Sequence, residues 1–400
     1  MSECLFDNLP VELIHRILDN LDVVTTFRSF RHACKRFYTI VNAYNRYAVN
    51  LSEISKNDFH SICQIIRPKN ILSLTLSDND TTANQIRLFL SLFNINQFTQ
   101  LRSLTLIEID LPQLNKLIKY IKINSLQTLS IRIRRKDSKV DQNLSITSIL
   151  TNLQKLELTT WHNEINNFVW PKQCHLKHLT IGRYITSKQI CRILSELTSL
   201  ESLVLQNAIV NDINEINSII SETKQNTSLT SLIFTNSQLQ MIELEYLLLF
   251  TPNLVHLRLI SSAHSSDDIL NGSKWENFIQ TQLISLKTFE FFFRSQIIED
   301  QSLTDVESRL RPFRTSFWVD YKSWFITCDF IPKTKTLRLY TIPICDTPIT
   351  YESDFDKITS TTCATIDNSN VKMNHVRELE LDLTLLSSNL MKQAVNFQSI

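Results

Sequence analysis

The closest grouping of metal-binding side chains is Cys174-His175-x-x-His178, and cysteine and histidine are residue types that bind zinc. A zinc site needs further ligands, and no second pair follows at the spacing that zinc modules use. Leu179 and Ile181 alternate through the same stretch, as in a strand with one buried face, which places His178 on the opposite face. We therefore interpret this grouping as a strand and its preceding loop, with no metal.

Nucleotide chemistry is disfavoured because only Gly182 and Gly272 occur among 400 residues. Phosphate-binding loops need several glycines close together, since a Cβ atom blocks the approach of the backbone to the anion. The nine histidines show no local pattern of a nucleophile and its base. We therefore expect a protein that is not an enzyme and that has no cofactor.

A short basic run at residues 132–136, followed by Lys139, could be a nuclear-import signal or an anion-binding patch. A charged run in a loop is more commonly a solvated surface, and we favour that interpretation. Over the whole chain 41 Lys and Arg balance 40 Asp and Glu. This balance gives no electrostatic reason to expect a nucleic acid or a membrane as a partner.

The eight cysteines are scattered and form no CxxC pair, which indicates reduced thiols in an intracellular protein. The first residues lack a basic segment followed by an apolar stretch, so we expect no signal peptide. No run of about eighteen apolar residues occurs, so we expect no membrane span. These features predict a cytoplasmic or nuclear protein.

The elements that position these side chains are predicted by an internal repeat of the form apolar-x-x-apolar-x-apolar. Its nine clear copies begin at Ile71, Leu101, Leu126, Leu153, Leu176, Leu200, Leu229, Leu254 and Leu286. The alternating end of each copy predicts a short strand with one buried face, and the residues between copies show helical spacing. A looser copy has Leu337 and Leu339, and a last copy has Val376, Leu379 and Leu381.

One such unit cannot bury its apolar side alone, so consecutive units are expected to stack. The predicted fold class is α/β, with parallel strands inside and helices outside over residues 51–400. An ordinary α/β domain with leucine-rich strands is the alternative. The pattern resembles leucine-rich-repeat proteins of the helix-containing kind, which form solenoids, although the Asn that usually follows the third apolar position is mostly absent. Residues 389–397 resemble the start of another helix without a polar closing unit, so we expect a longer protein or self-association at this end.

An aromatic-rich insertion interrupts the repeat at residues 287–333. Trp318 and Trp324, with residues 320–323 between them, predict a hairpin, while Val306 and Leu310 predict a helix. The aromatic side chains either grip a partner or fill the core of a distorted repeat. Core packing is the simpler interpretation.

Residues 1–50 follow a different pattern from the repeat. Leu9-Pro10 precedes apolar residues at helical spacing, and proline suits the first helical position, where its missing N–H is not needed. A bundle of this size has more apolar side chains than it can bury, so an exposed apolar patch is expected.

The pattern from Leu9-Pro10-x-Glu12-Leu13 to Leu21, with the later segment at residues 30–38, resembles an F-box. That resemblance implies binding to a Skp-type linker and, through it, to the cullin scaffold of a ubiquitin ligase. The residues that it suggests for the linker interface or its supporting core are Leu9, Pro10, Leu13, Ile14, Ile17, Leu18, Phe27 and Cys34. The alternative is a helical cap that only closes the end of the repeats.

Strand alternation also predicts which side chains face away from the core and could bind a protein substrate. These are Lys155, Glu157, His178, Gln206, His256, Arg258, Glu290, Arg338, Tyr340, Glu378 and Glu380. The expected function is the substrate-recognition adaptor of a cullin–RING ubiquitin ligase of the Skp–cullin–F-box type. The alternative is a ligase-independent scaffold that binds proteins through its repeats.

Overall fold

The computed structural model describes residues 9–120, 125–134, 150–159, 170–171, 174–209, 225–261, 268–296, 303–343, 349–351, 358–362 and 379–381. The chain divides into two compact units, Met1–Tyr184 with Arg192–Val204, and Ile185–Cys191 with Leu205–Ile400. Each unit mixes helices with a sheet. Residues 389–397, for which a helix is predicted, lie outside the described residues.

Short helices open the first unit. They are α1 Val11–Asn20, α2 Val23–Thr25, a π-helical turn Thr26–Phe30, α3 Arg31–Ala33 and α4 Lys35–Ala43. Asp22 begins α2 because its carboxylate accepts a hydrogen bond from the Thr25 N–H at 2.8 Å. Ile14 and Val41 are fully buried between the helices.

The sheet of the first unit contains strands that follow one another in the order of the sequence. They are β1 Tyr47–Asn50, β2 Ile71–Ser77, β3 Ser103–Ile109, β4 Thr128–Ile133, β5 Lys155–Thr159, β6 His178–Ile181 and β8 Ser202–Gln206, whose last residues belong to the second unit. The second apolar residues of successive repeat copies lie in register in parallel strands, from Leu74 and Leu104 to Leu156 and Leu179. The predicted parallel strands are thus present in this unit.

Helices cover the apolar face of that sheet. They are α5 Lys56–Ile65, α6 Gln85–Leu92 and α7 Leu111–Tyr120, while α8 Ser187–Glu196 has residues in both units. Phe89 and Leu114 are fully buried, as are the inward leucines of the strands. None of the helices within the described ranges is long and apolar enough to cross a membrane.

The second unit contains a sheet with mixed strand directions. Its strands are β10 Ser231–Ser237, β11 His256–Ser261, β12 Thr288–Gln296, β13 Ile326–Ile331, β14 Thr336–Thr341 and β16 Ile358–Thr361, in the order β10–β11–β12–β14–β13–β16. Two short pairs lie apart from it, β7 Ile185–Thr186 with β9 Ala208–Ile209 and β15 Ile349–Tyr351 with β17 Leu379–Leu381.

The prediction of parallel strands is wrong for β13, β14 and β16, which pair antiparallel. The physical reason is the short connection between β13 and β14. It consists of the 3-10 turn Pro332–Thr334 and Lys335, whose φ of 48° reverses the chain. A turn this short can join only antiparallel strands, since a parallel pair needs a crossover.

Aromatic side chains fill the core of the second unit. The helices of this unit are α9 Met241–Leu248, α10 Gly272–Gln282, α11 Leu303–Leu310, a 3-10 turn Arg311–Phe313 and a π-helical turn Phe317–Tyr321. The buried aromatic side chains come mainly from β12, α10 and the two turns. The predicted hairpin at Trp318 is wrong. Phe317 and Trp318 are consecutive and both buried, which a strand with alternating faces does not allow but a helical turn does.

Left-handed residues occur at or near the ends of several strands, at one position of the repeat. Glu108, Asn207 and Asn236 each stand two residues after the last inward apolar residue of their copy, with φ of 57°, 54° and 54°. The strand register shifts around Glu108 and around Asn236. Asparagine tolerates this conformation better than most residues do. Glu108 and Asn236 therefore form irregularities one residue before the ends of β3 and β10, and Asn207 directly follows β8.

Candidate protein-binding sites

The first predicted sheet surface lies on β5 and β6 of the first unit. Lys155 Nζ and Glu157 Oε1 form an ion pair at 2.8 Å between half-exposed side chains, and His178 is exposed beside them. Burial by itself would raise the pKa of Glu157, but the hydrogen bond and the charge of Lys155 outweigh it, so the pKa is lowered. The two charges therefore largely neutralise each other.

Cys174, His175 and His178 occupy the positions expected from the strand pattern. The Cys174 thiol donates to the Leu150 carbonyl oxygen at 3.7 Å, and His175 and His178 are exposed. Within the ranges that the structure describes, no group of three or more His, Cys, Asp or Glu residues could hold a metal ion.

Three of the predicted substrate residues meet on β11 and β12 in the second unit. Arg258 Nε lies 2.5 Å from Glu290 Oε2, and His256 Nε2 lies 3.5 Å from the same oxygen. Burial alone would raise the pKa of Glu290. Its hydrogen bonds with His256 and Arg258, together with the positive charge of Arg258, lower that pKa to about 2. Glu290 is therefore ionised and fixed at neutral pH.

Tyr340 lies on the same face but is only 8% exposed. Its ring stacks on Phe292 with centroids 5.7 Å apart, and its hydroxyl donates to Asp329 Oδ2 at 3.0 Å. Arg338 is half-buried in the same strand. Phe292 and Asp329 were missed by the sequence analysis, because inward and outward positions of β12 are both aromatic and β13 belongs to no repeat copy.

The remaining predicted substrate residues do not join this group in the described part of the chain. Gln206 is exposed at the end of β8. Glu380 is the middle residue of β17, and Glu378 lies outside the described residues.

The N-terminal site is built on α1. Pro10 precedes the helix with φ of −56° and ψ of 146°, and its carbonyl oxygen accepts hydrogen bonds from the N–H groups of Leu13 and Ile14. Glu12 lies in the first turn, where a carboxylate favours the positive end of the helix dipole. The Leu-Pro pair therefore fixes where the helix starts and how its faces point.

One face of α1 is apolar and open to solvent. Leu13 on this face is 43% exposed. An open groove of about 480 Å³ runs along this face, and it is lined by Leu9, Leu13, Arg16, Ile17, Asn20 and Leu21. Two turns of helix thus present a continuous apolar strip, which commonly marks a protein interface.

The opposite face of α1 belongs to the core. Ile14 is 0% exposed, and Leu18 and Phe27 are each 4% exposed, so these side chains position the open face rather than form part of it. Cys34 is half-buried, and its sulfur accepts a hydrogen bond from the Phe37 N–H at 3.4 Å, where it caps α4. The eight residues of the predicted linker site therefore divide into surface and support.

Residues 6–48 match the family model of the F-box domain. The matched segment begins just before α1 and ends inside β1. Leu21, which lines the groove of this F-box, was not among the predicted site residues. Its helical spacing from Leu13 and Ile17 could have indicated it.

Comparison with solved structures finds a similar chain in the crystal structure of the Rad7 and Elc1 complex in yeast. The sequence identity is 15%, the TM-score is 0.42, and the alignment covers 77% of this chain and 82% of that chain. None of the curated proteins compared with this chain matches it in sequence.

The F-box packs directly on the first strand of the sheet. Tyr47 of β1 is 7% exposed, and its ring lies 5.1 Å from the ring of Phe27 and 4.8 Å from that of Tyr44. The Tyr47 hydroxyl donates to the Val41 carbonyl oxygen, and Asn70 Nδ2 donates to the Tyr44 carbonyl oxygen at 3.0 Å. The open face of α1 is thereby held in a fixed relation to β1.

Proposed function

We propose that this protein is the substrate-recognition subunit of a cullin–RING ubiquitin ligase. In this proposal the F-box binds a Skp-type linker. The strand–helix repeats, which we interpret as leucine-rich repeats, bind a protein substrate. The single observation that carries it is the apolar open face of α1 within a segment that matches the F-box. Other subunits would transfer ubiquitin, so this chain contributes proximity and no catalytic residue.

The open face of α1 supports linker binding energetically. Complete burial of a leucine or valine side chain contributes about 1.5–3 kcal/mol, and this face presents several that are only partly covered. Because Ile14 and Leu18 are buried and hold the helix in place, little reorganisation of the helix is needed when a partner covers Leu13. A rigid apolar strip of this kind fits a protein partner better than it fits a small polar molecule.

The described cysteines fit a reducing compartment, which is the basis for proposing the cytoplasm or the nucleus. Burial raises the pKa of the Cys63 thiol to about 12 and that of Cys191 to about 11. These two thiols, like Cys34, Cys174 and Cys328, form no disulfide. Their chemistry is that of small buried apolar side chains.

Capture of a purified Skp-type linker and cullin by the full chain tests the proposal. The wild-type chain is expected to retain both proteins, and Leu13→Glu is expected to lose them because it places a charge in the apolar strip. Leu92→Glu is the matched control, since Leu92 is 51% exposed on α6. The combined change Leu9→Ala with Pro10→Ala should also weaken capture.

Two outcomes would redirect the proposal. Failure of the wild-type chain to bind the linker contradicts it outright. Binding of the linker without the cullin would favour a ligase-independent scaffold that keeps only the F-box contact. Circular dichroism of each variant shows whether a lost interaction reflects the surface or the fold.

A further inference from the structure

An open groove lies between α10 and the π-helical turn Phe317–Tyr321 of the second unit. Its volume is about 510 Å³. The described side chains that line it are Glu276, Gln280, Ser316, Phe317, Asp320 and Tyr321. We call it the acidic groove, because two of these side chains are acidic and none of them is basic.

Buried contacts hold the walls of the acidic groove in place. Trp275 of α10 and Trp318 of the turn are both fully buried, with ring centroids 4.9 Å and 6.3 Å from that of Phe289. The Thr315 hydroxyl donates to Glu276 Oε2 at 2.7 Å and so joins the two walls directly. Walls that are fixed before binding lose little conformational freedom when a partner enters, which favours a preformed site.

The two carboxylates of the acidic groove have no cationic partner among the described residues. Glu276 accepts hydrogen bonds from the Thr315 hydroxyl and from Gln280 Nε2, which lies 3.4 Å from Glu276 Oε1, and both donors are uncharged. The Asp320 side chain is exposed and makes no hydrogen bond or ion pair within the described part of the chain. The negative charge of the groove is therefore not neutralised by the side chains that line it.

Tyr321 adds an exposed aromatic surface to the acidic groove. It is 76% exposed, and its ring centroid lies 6.2 Å from that of Phe317. Lys322, which is not one of the lining residues, places its Nζ 5.2 Å from the Tyr321 ring centroid and donates to the Leu286 carbonyl oxygen at 2.6 Å. The Tyr321 ring thus already contacts one cation. Aromatic side chains that are this accessible are typical anchors of protein interfaces.

We propose that the acidic groove binds a basic segment of a partner protein, with an arginine side chain between the carboxylates and the Tyr321 ring. The planar guanidinium group pairs with carboxylates and stacks on aromatic rings. A nucleic acid or an anionic membrane is unsuited to a groove of this charge.

This surface is separate from the outward strand face that we propose for the substrate. Both walls of the acidic groove pack on Phe289, an inward residue of β12, so the groove lies on the helix side of the sheet. A partner in the groove would leave the outward face open. The inference therefore goes beyond the ligase role and does not depend on it.

Fluorescence anisotropy of the full chain with short labelled peptides tests the inference. One peptide alternates arginine with serine, and the comparison peptide has glutamine in place of each arginine. The arginine peptide should bind the wild-type chain at least about tenfold more tightly than the glutamine peptide, and added salt should reduce this difference. Glu276→Gln with Asp320→Asn should remove the preference, since these changes keep the size of each side chain and remove its charge.

The matched control is Glu245→Gln with Asp268→Asn, which removes a half-buried helical glutamate and an exposed aspartate from the same unit. This control should keep the preference, and an equal loss in both double variants would overturn the inference. Equal binding of the two peptides by the wild-type chain would also overturn it. Circular dichroism shows whether each variant is folded.

Tyr321→Ala tests the aromatic wall of the acidic groove. It should weaken binding of the arginine peptide about two- to fivefold, because stacking of the guanidinium group is lost. The control is Tyr184→Ala, which removes a tyrosine that is 64% exposed in the first unit and should leave binding unchanged. Tighter binding of a lysine peptide than of the arginine peptide would contradict stacking on Tyr321.

Light scattering tests a second copy of this chain as the source of the basic segment, since the chain has its own basic run at residues 132–136. The wild-type chain and Glu276→Gln with Asp320→Asn should have the same oligomeric state. A dimer that only the groove variant loses would overturn the assignment to a different protein. Failure of linker capture by the wild-type chain, with the peptide preference intact, would contradict the ligase role alone.

Discussion

At the scale of the residue, Glu290 of β12 contacts both Arg258 and His256 of the neighbouring strand β11. Its side chain is 17% exposed, and the same carboxylate oxygen contacts Arg258 and His256. A carboxylate that is half-desolvated and paired in this way stabilises the folded state only while it is ionised. Its pairing therefore makes stability depend on pH in a predictable direction.

Glu290→Gln should lower the free energy of unfolding at neutral pH by about 2 kcal/mol, since it removes the ionised partner of Arg258. The pKa of Glu290 is lowered from 4.5 to about 2, so its contribution is complete above 4.5 and is lost as pH falls toward 2. The difference between variant and wild type should therefore shrink over that range. Urea unfolding at several pH values measures it, with the exposed Glu53→Gln as the control.

Gly272 is required by close packing at the start of α10. A Cβ atom at this position would lie 2.9 Å from the Phe313 ring and 2.9 Å from the Pro312 carbonyl carbon. Because one of these neighbours is backbone, relief requires the chain to move. Gly272→Ala should therefore destabilise the protein by about 1–3 kcal/mol, although alanine normally favours a helix.

Thermal unfolding of Gly272→Ala beside Ser273→Ala tests this steric explanation. Ser273 is the next residue of α10 and is exposed, so its replacement should leave the midpoint nearly unchanged. A Gly272→Ala midpoint equal to that of the wild type would show that Phe313 can move aside without cost.

At the scale of the element, α1 separates stability from recognition because consecutive residues lie on different faces. Ile14 is fully buried, whereas Leu13 is 43% exposed. The two side chains are both large and aliphatic and belong to the same helix. They therefore form a matched pair for separating the two roles.

Ile14→Ala should cost about 2–5 kcal/mol of stability because it leaves a cavity. Leu13→Ala should cost about 0.5 kcal/mol or less, since it is a surface substitution. Linker affinity should show the reverse order when measured on folded protein, with the larger loss for Leu13→Ala. Urea unfolding and a titration with the linker give the two quantities, and equal effects of the two changes on affinity would argue against an interface on this face.

The sequence predicted the strands of the first unit well because alternation is a local signal. Leu156 and Leu158 are buried and Lys155 and Glu157 are not, as a period of two requires. Alternation does not indicate the direction of β14, which follows from the short turn after β13. The F-box pattern identified Leu13 and Ile14 together, but it could not say which of them is exposed, because both fit the helical spacing.

At the scale of the whole molecule, the F-box is continuous with the sheet of the first unit. The family match ends at residue 48, inside β1, and β1 pairs with β2 in parallel. Arg28 of the F-box also forms an ion pair with Asp58 of α5. The division into domains at residue 50 stays a prediction.

A chain that starts at residue 51 should be less soluble than one that starts at residue 45. The longer version keeps β1, which pairs with the edge of β2, whereas the shorter one leaves that edge open to other molecules. Size-exclusion chromatography with light scattering measures the difference. If the shorter chain is monomeric and as stable as the full protein, the two parts are independent.

The left-handed residues near the strand ends mark where the chain should tolerate insertions and deletions. One residue added within β3 would turn every outward side chain beyond it toward the core, because the period of a strand is two. One residue added after Ile109, where β3 ends, lies outside the paired strand. Natural relatives should therefore differ in length mainly after this position. Such insertions would lengthen the segment that follows the strand and leave the pattern of outward side chains on the sheet unchanged.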